Sequence, residues 1–116
     1  MVQSGSPVFA RQAYWSVVRT LAATRNPLSP GGSLSVIPYH VNVPSFGDWG
    51  FTLASPRALA DRALDLPPGL RFLTDEVWRG AQVFGLDEGE TEAEVNSVHD
   101  HVLLGYYNTG WDTWFR

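Results

Sequence analysis

The sequence predicts an α/β fold, and three observations carry that prediction. Apolar residues recur at three- and four-residue steps from Val8 to Thr24, the mark of an amphipathic helix. Two β-prone runs, Leu34 to Val43 and Trp49 to Ala54, flank a turn. Helix-like stretches and loops then fill the chain to its end. At 116 residues there is room for one such unit, and nearly every amphipathic element must join its core.

Each element follows from local chemistry. Met1 to Gln3 is too short to be a strand alone, and Ser4-Gly5-Ser6-Pro7 reads as a turn opening a helix, with Pro7 near its first position. Within that helix Phe9, Ala13, Trp15, Val17, Val18, Leu21 and Ala22 form the apolar side, which leaves Arg11, Arg19 and Arg25 toward water. Asn26-Pro27, Ser29-Pro30 and Gly31-Gly32 end it. In the first strand Pro38 implies an edge or a bulge. The connection Pro44 to Asp48 is of the hairpin type, with Gly47 able to take positive φ.

The second half reads as helical. Ser55 and Pro56 suit the start of a helix over Arg57 to Leu64, which Leu66-Pro67-Pro68-Gly69 interrupts. Thr74 caps a further helix from Glu76 to Phe84, striped by Val77, Trp78, Ala81 and Phe84. The acidic run Asp87 to Glu94 reads as a solvated segment. Asp100 suits the cap of a terminal helix whose aromatic residues, up to Phe115, predict a docked tail.

Composition excludes several chemistries. There is no cysteine, so disulfides, thiol nucleophiles and iron–sulfur sites are out. All basic side chains are arginine, which removes Schiff-base chemistry and a phosphate-loop lysine. The net charge of −4 is unevenly spread: residues 1–55 carry Arg11, Arg19 and Arg25 against Asp48 alone, and every other acid follows. Three scattered arginines are no basic footprint, so no nucleic-acid partner is expected. His99-Asp100-His101 has metal-ligand residue types but lacks a third partner at a known spacing, and no metal site is predicted. No membrane span or leader is apparent, and the chain is read as cytoplasmic, with a membrane-attached full-length form as the alternative.

Pro38-Tyr39-His40-Val41-Asn42-Val43-Pro44-Ser45-Phe46-Gly47-Asp48-Trp49-Gly50-Phe51, taken with the opening Val2-Gln3-Ser4-Gly5-Ser6-Pro7, resembles the C-terminal portion of bacterial spermidine/spermine synthases, the polyamine aminopropyltransferases. Leu66 to Thr74, Glu94-Val95-Asn96 and Tyr106-Tyr107 resemble the tail of the same family. The resemblance implies the C-terminal part of a methyltransferase-like, Rossmann-type doubly wound sheet in residues 1–55, ending in an antiparallel strand pair, with residues 56–116 as a helical tail packed on it. It implies transfer of an aminopropyl group from decarboxylated S-adenosylmethionine to putrescine, spermidine or a similar polyamine.

The family's glycine-rich cofactor turn and catalytic aspartate loop have no counterpart here, so no catalytic residue is assigned and the chain alone is expected to be inactive. Its expected partners are a polyamine together with the missing N-terminal half or a second copy. The alternative is a non-catalytic remnant that serves as a dimerisation or interaction module. Resemblance places Gln3 and His40 at the polyamine, where the Gln3 amide oxygen accepts from an ammonium group, and cation–π chemistry adds Trp49, whose ring with that of Phe46 offers its face to a cation. For His40 the competing reading is a packed, hydrogen-bonded strand histidine, for Trp49 it is core, and Asp48 reads as a turn acid.

Overall fold

A computed structural model describes residues 1–59, 64–97 and 99–115. Its elements are β1 (Val2–Gly5), α1 (Arg11–Ala22), β2 (Ser35–Val43), β3 (Gly47–Ser55), α2 (Asp75–Gly80) and α3 (Val102–Phe115). The three strands form one sheet in the order β1-β3-β2, with both pairings antiparallel. β1 and β2 therefore run in the same direction on either side of β3, and α1 carries the chain across between them. Pro38 is tolerated because β2 is an edge strand.

The opening stub is a strand that runs past Gln3 to Gly5, held by pairing to β3 and irregular between those two residues. Ser6 starts the helical turn: its Oγ accepts from the Val8 and Phe9 amides, each at 3.2 Å, and its carbonyl accepts from Ala10 N at 2.9 Å. The hairpin pairs Val43 with Gly47, so the reversal falls on Pro44, Ser45 and Phe46. Gly47 takes φ 81° as expected, and Ser45 also adopts a left-handed φ of 71°.

α1 lies against one face of the sheet, with Ala13, Tyr14, Trp15, Ser16 and Val18 buried. Tyr14, Trp15 and Val18 form the core with Ala93, and Val36, Phe84 and Tyr106 close around it. The Tyr14 hydroxyl donates to the carbonyls of Tyr39 (3.2 Å) and Phe51 (3.1 Å), spanning β2 and β3. Its ring stands where Gly50 has no side chain; a Cβ there would overlap the ring and the Gly5 carbonyl oxygen. The opposite sheet face carries Tyr39 stacked on Phe51 at 5.4 Å, and Trp78 of α2 meets Tyr39 edge-on at 5.0 Å.

Several expectations need correction. α2 stops at Gly80 instead of reaching Phe84. The Thr74 cap is present, its Oγ1 accepting from Val77 N at 3.2 Å, but tight bonds from Gln82 N to Arg79 O and Val83 N to Gly80 O turn the chain out of the helix. Ala81 then accepts from the His40 amide at 2.9 Å, and Phe84 reaches the core. Of the helix expected over Arg57 to Leu64, residues 57–59 and 64 are not helical and the remainder lies outside the described residues. In the first turn of α3, Asn96 Oδ1 accepts from Leu103 N at 3.2 Å, so Asn96 supplies a cap that was expected of Asp100.

The terminal helix is docked, as its aromatic content predicts. Trp114 meets Phe9 edge-on at 5.5 Å, and the Tyr107 hydroxyl donates to Ser4 O at 3.2 Å. Gly110 lets α3 approach the turn that leads into α1 closely, since a Cβ on it would stand 2.6 Å from the Phe9 carbonyl oxygen. Gly105 in the same helix faces nothing within 4 Å. No helix among the described residues is long and apolar enough to cross a membrane.

Two glycines on one helix thus make opposite predictions. Gly105→Ala is expected to raise unfolding stability by about 0.5–1 kcal/mol through helix propensity. Gly110→Ala is expected to lower it by about 1–3 kcal/mol through overpacking. Urea denaturation of the two variants beside the parent checks both signs.

Candidate functional site

A cavity of about 520 Å³ opens where β1 ends and the hairpin turns. Its walls come from three stretches far apart in the chain. Gln3, Gly5, Ser6, Phe9 and Ala10 form one side, Ser45, Phe46 and Trp49 the second, and Tyr107 and Trp111 of α3 the third. Five of these are aromatic and none is acidic. The Phe46 and Trp49 rings meet edge-on at 6.2 Å, with Phe46 two-thirds exposed at the mouth. Trp49 Nε1 is buried without a hydrogen-bond partner among the described residues. Burial pushes the Tyr107 hydroxyl above its ordinary pKa, so it stays a neutral donor, and Gly5 leaves room for its ring.

The structure brings two of the three expected site residues to this cavity. Gln3 and Trp49 line it, and His40 does not. Strand alternation is the reason. Gln3 pairs with Phe51, Phe51 with Tyr39, and Trp49 with Val41, so these side chains share one face, whereas His40 is paired with Gly50 on the face toward α1. The residues missed by sequence reasoning are Phe9, Tyr107 and Trp111. Their signal was present in the aromatic content of the tail, but not the direction in which it folds back.

His40 sits in a polar cluster of its own. Its Nδ1 is 2.7 Å from Asp48 Oδ1 and 3.6 Å from Glu88 Oε2, and its Nε2 is 2.5 Å from the Val83 carbonyl oxygen. Phe84 stacks on the imidazole at 4.5 Å. Burial alone would lower the His40 pKa, but the Val83 carbonyl, the Asp48 carboxylate and Glu88 together hold it above its ordinary value. Hydrogen bonding to Asp48, then burial, pushes the Glu88 carboxyl up. Asp48 Oδ2 is buried, and no N–H donor among the described residues reaches it. Asp48 is thus more than a turn residue.

The acidic segment is only partly solvated, a second correction. Asp87, Glu90, Glu92 and Glu94 are exposed, but Glu88 is half-buried and Ala93 buried. Its backbone carbonyls are held by the polar flank of α1: Arg11 Nε donates to Gly89 O (2.8 Å), Trp15 Nε1 to Glu88 O (2.9 Å) and Ser16 Oγ to Glu94 O (2.7 Å). Arg19 reaches Ala93 O and Thr91 O, so two of the arginines expected to face water bind this segment. His99 and His101 are both exposed.

Comparison with known proteins identifies the relatives. No protein-family model and no solved structure matches the chain. It is 36% identical over 98% of its length to a polyamine aminopropyltransferase of Oceanobacillus iheyensis. To proteins of the same name it is 36% identical in Leptospira interrogans, over 96% of its length, and 42% identical in Corynebacterium efficiens, over 95%. The matched part makes up 22%, 20% and 21% of those proteins, so the chain spans about a fifth of the length of the relatives it matches. Nearly every residue of the sequence takes part in the likeness, and the chain belongs to the polyamine aminopropyltransferase family, whose C-terminal portion it represents.

Proposed function

We propose that this chain supplies the amine-acceptor side of an aminopropyltransferase site, for a reaction between decarboxylated S-adenosylmethionine and putrescine, spermidine or a similar polyamine. The observation that carries the reading is the cavity walled by Gln3, Trp49, Phe46 and Tyr107, in a chain whose relatives bear the name polyamine aminopropyltransferase. Its volume suits a small ligand. Aromatic faces attract an ammonium group once it has left water, and the Gln3 amide oxygen accepts one of its hydrogens.

Sheet topology supports the same reading. β1 and β2 run in one direction with α1 between them, and β3 is inserted antiparallel, as expected at the end of a doubly wound, methyltransferase-like sheet. The cavity lies at the C-terminal end of β1 and beside the hairpin that ends β2, where ligands of open α/β sheets bind. We place residues 1–55 in that sheet domain and residues 56–116 in the tail packed on it, in a cytoplasmic setting.

Chemistry needs more than this wall. Displacement at the carbon beside the sulfonium requires an amine free of its proton and held in line. The residues lining the cavity include no acid to take that proton. In this reading the base and the co-substrate site come from the rest of the protein, and the chain by itself binds amine without turning it over.

Two outcomes are expected. The purified chain, given decarboxylated S-adenosylmethionine and putrescine, shows no product by chromatography; turnover at ordinary enzyme rates rejects the division of labour. Calorimetry detects spermidine binding at millimolar concentration, and Trp49→Ala weakens it about two- to thirtyfold, the equivalent of a cation–π contact worth about 0.5–2 kcal/mol. Unchanged binding in Trp49→Ala, or none in the parent, removes the cavity from the polyamine path.

A further inference from the structure

The His40 cluster stands apart from the cavity and is built from three separate pieces of chain. His40 belongs to β2, Asp48 to β3, and Glu88 to the segment after α2. One nitrogen or oxygen from each lies within 4.8 Å of the others. All three side chains are largely shielded, with exposures of 15%, 25% and 14%.

Three features set the chemistry of this group. A carbonyl oxygen only accepts, so the Val83 contact fixes the hydrogen of His40 on Nε2 and leaves Nδ1 as the atom turned toward both acids. A histidine whose far N–H is held by a backbone carbonyl is oriented as metal-binding histidines are. Phe84 and Gly85 then fix the geometry: the Phe84 ring stacks on the imidazole, and Gly85 N donates to Glu88 Oε1 at 2.9 Å. Finally, Asp48 Oδ2 is a buried carboxylate oxygen that no N–H donor among the described residues reaches, and the group beside Asp48 is the second acid, Glu88. Two acids and one ring share the space, and a dication beside a neutral ring balances both carboxylates in their ionised form.

Distances agree with that occupant. Ligand atoms about 2 Å from a common tetrahedral centre stand about 3.3 Å apart. The two His40 distances, 2.7 and 3.6 Å, bracket this value, and all three ligand atoms lie within 4.8 Å of one another, so side-chain shifts of about an ångström bring them to a common centre. One imidazole nitrogen and two carboxylates suit zinc and its neighbours better than calcium or magnesium, which favour all-oxygen sites. We propose that His40 Nδ1, Asp48 and Glu88 bind a divalent transition-metal ion of the zinc type, with water completing the coordination, and that this ion ties the β2–β3 hairpin to the segment after α2. This concerns a face of the sheet other than the one lining the cavity and is independent of the polyamine reading.

The test uses the full chain after chelator treatment. Zinc titrated in a calorimeter is expected to bind one ion per chain at micromolar concentration and to raise the melting temperature. In long-range nitrogen–proton spectra the Nδ1 signal of His40 should move on zinc addition while Nε2 keeps its hydrogen. Asp48→Asn and Glu88→Gln should each weaken binding about tenfold or more. A His99→Ala/His101→Ala double variant should bind as the parent does. Absence of stoichiometric binding, or binding lost in the double variant and kept in Glu88→Gln, overturns the proposal. If Asp48→Asn fails to fold, Glu88→Gln and the His40 nitrogen signals still decide it.

Discussion

The contact between Tyr14 and Gly50 is the constraint on which the remaining structure depends. A fully buried tyrosine packs against the middle strand only because residue 50 has no side chain, and its hydroxyl then reaches the carbonyls of two strands at once. Burial raises the Tyr14 pKa strongly, so the group remains a neutral donor. This single side chain sets the height and rotation of α1 over the sheet. With α1 fixed, its apolar side receives Phe84 and Ala93, and its polar flank meets the backbone of residues 88–94.

That polar flank explains why an acidic segment packs against a core. Among the described residues no strand pairs with this segment, and Arg11, Trp15, Ser16 and Arg19 supply donors to its carbonyls. Fixing these carbonyls also fixes which acidic side chains turn outward. Glu88 is thereby directed at Asp48 and His40, and the others reach water. A local feature of one helix thus determines the electrostatics of the hairpin.

Period and turn chemistry made much of this legible. α1 and the hairpin were readable because their patterns are strong and local, and Gly47 announces its own φ. α2 was misjudged at its far end because Ala81 and Phe84 keep helical spacing with Val77 and Trp78 while serving other contacts. Strand register held the answer for His40: once Trp49 faces the cavity, Val41 shares its side and His40 cannot. Glu88 was invisible in composition, since nothing in an acidic run marks which carboxylate will be held. Ser45, with its left-handed φ, gave no signal either.

The cavity closes by a contact across nearly the whole sequence, Tyr107 to Ser4, 103 positions apart. Closure of so long a loop carries an entropic cost that the local helix and hairpin do not. The pocket and the docking of α3 are therefore a single equilibrium. Any molecule held between the hairpin and the last helix will also act as a clamp on the tail, slowing its release and the hydrogen exchange of its amides. Ligand occupancy and protection of the C-terminal helix become two readings of one quantity.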